Sequence, residues 1–134
     1  MDDYGTYEEK RESVIVYSKS RTICHAIDKA ISSKYNVIEV ISSDEIDKVI
    51  KQQREIRIII ADLSNDEDDG KLIMDYLDNN KEIAGIPKIA VCKESNIEQC
   101  KIAIQGGVVD LMMEPIEKDI VRRRVSRIIK DEEK

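Results

Sequence analysis

Five short apolar runs punctuate the chain, at residues 14–17, 37–41, 56–61, 86–92 and 108–113. Each is four to seven residues long and rich in Val and Ile, which predicts a buried strand. Helical periods fill the intervals. Ile23, Ala26, Ile27, Ala30 and Ile31 follow the i, i+3, i+4, i+7, i+8 spacing without a miss, and Ile46, Val49 and Ile50 repeat it over a shorter span. Leu72, Ile73, Tyr76 and Leu77 mark a third helix after Gly70. Ile97, Cys100, Ala103 and Ile104 mark a fourth, and Ile120, Val121, Val125, Ile128 and Ile129 a fifth. Ser42 with Glu45 and Ser95 with Glu98 read as capping boxes opening the second and fourth helices. Gly106-Gly107 stops the fourth helix, and Pro115 separates the fifth strand from the fifth helix. The pattern is (βα)5, with no repeat, linker or low-complexity stretch. Strand–helix alternation of this kind implies a parallel sheet with right-handed crossovers. Five units are too few for an eight-stranded barrel, so an open, doubly wound sheet is expected.

Composition agrees and narrows the function. The 134 residues hold 23 Ile but neither Phe nor Trp, so the core is aliphatic and β-branched, as suits strands covered on both faces. The net charge of −6 argues against a nucleic-acid partner engaged through bulk charge. No apolar run approaches the ~18 residues of a membrane span, and the acidic start Met1-Asp2-Asp3-Tyr4 is unlike a signal peptide. Three cysteines (Cys24, Cys92, Cys100) with no Cys-x-x-Cys and a single His disfavour a disulfide framework or a zinc site, and a reducing cytoplasm is the expected setting.

In a doubly wound sheet the functional crevice lies beyond the carboxyl ends of the strands. Those ends carry Tyr17, Ser18, Lys19 and Ser20 after the first strand and Asp62, Leu63 and Ser64 after the third. Cys92-Lys93 follows the fourth strand and Met113-Glu114-Pro115 the fifth. With Gly70 eight residues beyond Asp62, Cys92 thirty beyond it, and the segment Gly107-Val108-Val109-Asp110-Leu111-Met112-Met113-Glu114-Pro115, the chain resembles the receiver domain of two-component response regulators over about residues 12–130. The resemblance implies a flavodoxin-like receiver fold of strand order 2-1-3-4-5, with Asp62 in the phosphoacceptor position and a cis peptide bond before Pro115. It divides the chain into an N-terminal extension (1–11), a receiver-like domain (12–130) and a charged tail (131–134).

The departures from that family are specific. Tyr17-Ser18 replaces its acidic pair, Cys92 its Ser or Thr, Leu111 its switch aromatic, and Glu114 its lysine. Magnesium prefers hard, mostly anionic oxygen ligands, so Asp62 with neutral neighbours should hold the ion weakly, and no other cofactor is expected. Phosphoryl transfer depends on positioning and on cationic stabilisation, and an anion at 114 opposes both. The expectation is a pseudo-receiver: a non-enzymatic signalling module that docks a protein partner, whether a histidine kinase or a downstream signalling protein. A degenerate but phosphorylatable receiver drawing metal ligands from residues 66–69, and a flavodoxin-like phosphate binder at residues 18–22, are the alternatives.

Other features weigh less. Asn65, Glu67, Asp69 and Gly70 fit EF-hand positions one, three, five and six, but position twelve falls on Tyr76, so a solvated acidic loop is expected. Asp62 is expected to hydrogen-bond local backbone or pair with Lys19 or Lys93, and Ser18 or Ser20 to cap the first helix. Arg122, Arg123, Arg124, Arg127 and Lys130 ring the exposed side of the fifth helix, with the tail acids as partners or with a docking role. The resemblance places a partner or homodimer face on the fourth helix, fifth strand and fifth helix, including Leu111, Arg122, Arg123 and Arg127.

Overall fold

The computed structural model describes residues 12–52, 55–64 and 67–132. The anticipated extension at 1–11, and residues 65 and 66 together with the side chains of 67–70 on which the calcium and substitute-ligand readings depend, lie outside the described residues. Ten elements alternate along the chain. They are β1 (Ser13–Tyr17), α1 (Arg21–Ile31), β2 (Asn36–Val40), α2 (Ser43–Lys51), β3 (Ile56–Asp62), α3 (Glu67–Asn79), β4 (Lys88–Cys92), α4 (Ile97–Gln105), β5 (Asp110–Met113) and α5 (Lys118–Glu132). The five strands form one parallel sheet in the order β2-β1-β3-β4-β5, as expected.

Strand side chains alternate between two cores, one on each face of the sheet. Val14, Val16, Ile58, Ile60, Ile89 and Val91 pack with Ile23, Ile27 and Ile31 of α1 and Val121 and Val125 of α5. Ile15, Ile59, Ala61, Ala90 and Cys92 point the other way, onto Ile46 and Val49 of α2, Ile73, Met74 and Leu77 of α3 and Ala103 of α4. Each isoleucine fully buried in this way contributes roughly 1.5–3 kcal/mol relative to exposure. Two-sided burial holds for β1, β3 and β4 but not for all five strands. The edge strands β2 and β5 are mostly half-buried, because each has a neighbour on one side only.

Two sequence-derived boundaries shift. The third helix begins at Glu67, so Gly70 lies inside it rather than before it. The fourth is capped by Asn96, whose side chain accepts the Gln99 N–H at 3.3 Å, and not by Ser95 with Glu98. Its buried face is then built on Gln99 and Ala103, with Cys100 half-buried, while Ile97 and Ile104 are 68% and 63% exposed. Ser42 does cap α2, accepting from Glu45 N–H at 3.3 Å, and Glu45 Oε1 accepts from Ile41 N–H at 2.8 Å. Gly107, at φ +82°, makes the left-handed turn between α4 and β5 that L side chains rarely adopt. No helix among the described residues is long and apolar enough to cross a membrane.

Candidate functional site

Parallel pairing of β1 with β3 sets Tyr17 opposite Ala61, so the chain leaves the sheet at Ser18 and Asp62 side by side. Ser18 N–H is anchored on Val40 O at 3.1 Å, and Leu63 N–H on Val91 O at 2.8 Å, which fixes both turns. The Ser18 hydroxyl donates to Asp62 Oδ2 at 2.6 Å and accepts the Ser20 N–H at 3.0 Å. Ser64 donates its N–H to Asp62 Oδ1 at 2.8 Å and its hydroxyl to the same oxygen at 2.5 Å. Ser18, Asp62 and Ser64 are all buried. Asp62 is thus a buried carboxylate with both oxygens engaged by two serine hydroxyls and a backbone N–H, three neutral donors and no cation among them. The backbone contact was anticipated; the two hydroxyls take the place of a pairing with Lys19 or Lys93.

The remaining sequence-predicted positions gather at the same end of the sheet, apart from Leu111. Tyr17 is half-buried and packs with the core under α2–α4. Cys92, at the end of β4, is fully buried. Burial pushes its thiol up to about 12, helped by the neighbouring Cys100 thiol and by the Asp62 charge. Glu114 is half-buried, with its N–H donated to Cys92 O at 3.0 Å, and it shares a shallow surface with Lys93, Glu94 and Ser95 of the β4–α4 loop. The Glu114–Pro115 bond is cis, as expected. Leu111 sits within β5, half-buried. Ser20, not Ser18, caps α1, accepting the Ile23 N–H at 3.2 Å. The Ser18 and Ser20 hydroxyls of a would-be phosphate loop are therefore used within the fold.

These residues do not suit a magnesium ion. Mg²⁺ requires near-octahedral oxygen ligation at about 2.0–2.1 Å, usually through one or two carboxylates. Asp62 is one carboxylate, and three of its four lone-pair sites already accept from Ser18 and Ser64. Among the described residues no group of three His, Cys, Asp or Glu side chains is placed to hold a metal.

The α5 arginines are committed inward more than their exposed spacing suggested. Arg122 Nε donates to Ala30 O, at the end of α1, at 2.8 Å. Arg124 Nη1 and Arg127 Nη2 each donate to a carboxylate oxygen of Asp110 at 2.6 Å, and Leu111 N–H adds a bond to Asp110 Oδ1 at 2.8 Å. Burial works against the Asp110 charge, but the Arg124 and Leu111 hydrogen bonds and the two guanidinium charges outweigh it and hold the carboxyl below its usual range. Arg123 faces solvent. Asp110 was legible in the sequence only as part of the Gly107–Pro115 segment; its role as the anchor of α5 on β5 depends on a helical turn fourteen residues away.

Lys88 is a further residue that the pattern did not single out. It is 6% exposed, and its ammonium donates to the carbonyls of Ile86 at 2.9 Å, Ala84 at 3.3 Å and Ile83 at 3.4 Å. It closes the turn before β4, at the end of the strand away from Asp62.

No family model matches this sequence, and no curated protein matches it. Solved structures do. A response regulator from Thermotoga maritima is 20% identical, with a TM-score of 0.71 over 90% of this chain and 98% of that one. The N-terminal signal receiver domain of a two-component response regulator from Bacteroides fragilis is 12% identical, with a TM-score of 0.76 over 89% of this chain and 97% of that one. A signal receiver domain of a two-component histidine kinase from Clostridium thermocellum is 23% identical, with a TM-score of 0.68 over 91% of this chain and 98% of that one. Sheet order, helix placement and coverage agree: the chain has the flavodoxin-like fold of the response-regulator receiver domains.

Proposed function

We propose that this chain is a receiver-like module of two-component signalling that acts as a pseudo-receiver, binding a protein partner without Mg²⁺-dependent phosphorylation of Asp62. The observation that carries this reading is that Ser18 and Ser64, both neutral, take three of the four lone-pair sites of Asp62, so the carboxylate is tied into the fold by donors that bring no positive charge. A phosphoacceptor carboxylate needs an oxygen open to phosphorus and cations to neutralise the transferred group. Asp62 is engaged on both oxygens, and Glu114 brings an anion to the same end of the sheet. No step of bond making is assigned to the chain, so the reading is of a binding module rather than an enzyme.

The docking surface fits the flank built from α4, β5 and α5. There α4 leaves Ile97 and Ile104 in solvent, Met113 is exposed on the sheet edge, and Arg123 is turned outward. Apolar side chains ringed by charge, beside an edge strand, suit a protein partner or a second copy of the chain. The partner classes in view are a histidine kinase and a downstream signalling protein.

Incubation with Mg²⁺ and acetyl phosphate, followed by intact mass measurement, tests the reading. The expected spectrum is unchanged. A stoichiometric gain of one phosphoryl group, absent from Asp62→Asn, overturns it in favour of a phosphorylatable receiver.

A further inference from the structure

We propose that the chain self-assembles head to tail, with the basic outer stripe of α5 in one copy seated in the acidic groove along α3 of the next. This goes beyond the docking flank and does not depend on the state of Asp62. Arg123 belongs to both surfaces, but the groove is lined by α3 and the turn after it, so the two readings fail separately.

Charge is sorted unevenly along the chain. Residues 118–130 carry six basic side chains and one acid, a net of +5 within a chain of net −6, so the other residues hold a net of −11. On α5, Arg124 is spent on Asp110 and Arg122 on Ala30 O. Arg123 and Lys130 are exposed and have no carboxylate partner among the described residues. Arg127 reaches Asp110 with one nitrogen and is still 64% exposed. At i, i+4 and i+7, Arg123, Arg127 and Lys130 form one stripe about 10 Å long.

A shallow groove of about 630 Å³ runs along α3. Leu72, Asp75, Tyr76 and Asn79 line it over two helical turns, again about 10 Å, and Lys81 and Glu82 close its end. Leu72 is 67% exposed and offers an apolar wall for the stem of an arginine. Tyr76 donates its hydroxyl to Asp47 of α2, and the Asn80 amide donates to both at 3.4 Å. Burial, the Asp47 hydrogen bond and the Asp47 charge push the Tyr76 phenol up to about 12, with Asp44 adding to the effect. The negative charge of Asp44 and Asp47 thus reinforces Asp75 and Glu82, against the one lining cation, Lys81. α3 packs on one face of the sheet and α5 on the other, so a chain cannot seat its own α5 in its own groove. The contact is heterologous: each copy keeps a free groove at one side and a free stripe at the other, and assembly propagates unless a ring closes. Exposed ion pairs contribute little each and are screened by salt, so the assembly is weak and salt-sensitive.

Sedimentation velocity on the full chain at about 0.5 mM, in about 50 mM NaCl, should show concentration-dependent species beyond a dimer, which about 500 mM NaCl dissociates. Two double variants separate the surfaces: Asp75→Asn with Glu82→Gln in the groove, and Arg123→Gln with Lys130→Gln on the stripe. All four side chains are exposed, so urea unfolding should be unchanged, while each double variant should associate about tenfold more weakly or less. An equimolar mixture of the two retains one intact groove and one intact stripe. It should recover association yet stop at a 1:1 pair, and Ile97→Lys should assemble as the parent does. A parent that is monomeric at low salt, assembly that survives high salt, or a charge variant that associates like the parent would each overturn the proposal. So would a mixture that stays monomeric or grows beyond a pair. Loss of assembly in Ile97→Lys would move the contact to α4 and overturn it equally.

Discussion

Two aspartates at opposite ends of the sheet are held in contrasting ways. Asp62, at the carboxyl end of β3, accepts, among the described residues, from three neutral donors: the hydroxyls of Ser18 and Ser64 and the Ser64 N–H. Asp110, at the start of β5, is gripped by two guanidinium groups and a backbone N–H. A carboxylate in a cage of hydroxyls is fixed in place but offers no positive field to an incoming anion. A carboxylate between two arginines has such a field and uses it to pin α5 against β5. The corner where related folds would be searched for phosphoryl chemistry is thus built for rigidity, and the arginines of the chain's basic run serve the far flank.

The contrast is broken most directly at Asp62. Ser18→Ala with Ser64→Ala leaves a buried carboxylate with a single N–H donor. Hydrogen bonds to a charged group contribute about 1.5–3 kcal/mol each, so the double variant should lose roughly 3–6 kcal/mol in urea unfolding. The loss should change little between low and high salt, because the donors removed are neutral hydroxyls. Adding Asp62→Ala should restore part of it by removing the stranded charge. A double variant as stable as the parent would show that the hydroxyl cage does not hold Asp62.

Asp110→Asn should cost less, about 1–2 kcal/mol, because the arginines are partly solvated. Here salt should matter, since screening weakens the pairs the variant removes. The pH dependence has a fixed sign. The Asp110 carboxyl is held below its ordinary value in the folded state, so its contribution is complete above about pH 4 and fades as pH falls through the folded-state value. The gap between parent and Asp110→Asn should therefore narrow in acid; a gap that widens there would contradict the assignment. Within the pair, Arg124→Ala should cost about 1 kcal/mol. Arg127→Ala should cost about half that or less, since its side chain is 64% exposed. Equal losses would mean that exposure does not discount the outer bond.

Much of this was legible in the chain. Short apolar runs and the 3.6 period located all ten elements, because Val and Ile in short runs and a one-sided stripe on each helix follow from burial alone. Ser42 was readable as a cap from its own neighbourhood. What escaped the pattern depends on partners distant in sequence. The Ser18–Asp62 bond spans 44 residues and the Arg122–Ala30 bond 92, and no local spacing encodes either. The α4 face was misassigned for a related reason. Gln99 looks like a surface residue, yet its amide oxygen has a buried donor in Lys93 N–H, so it turns inward and takes the place the period gave to Ile97 and Ile104.

That misassignment yields the smallest expected effect and sharpens the contrast between the two corners, since α4 runs from the Asp62 end of the sheet toward Asp110. Ile97→Lys and Ile104→Lys remove apolar surface that already faces water, so each should change unfolding free energy by no more than about 0.5 kcal/mol. A loss above about 2 kcal/mol would put these side chains back in the core, as the bare periodicity implied. If stability holds, the two isoleucines are dispensable for folding, and their exposed face on one helix, seven residues apart, is open to a partner. Sedimentation velocity on parent and variants then separates the occupants. Self-association lost in both variants assigns the face to a second copy, whereas a parent that is already monomeric leaves it to a different protein.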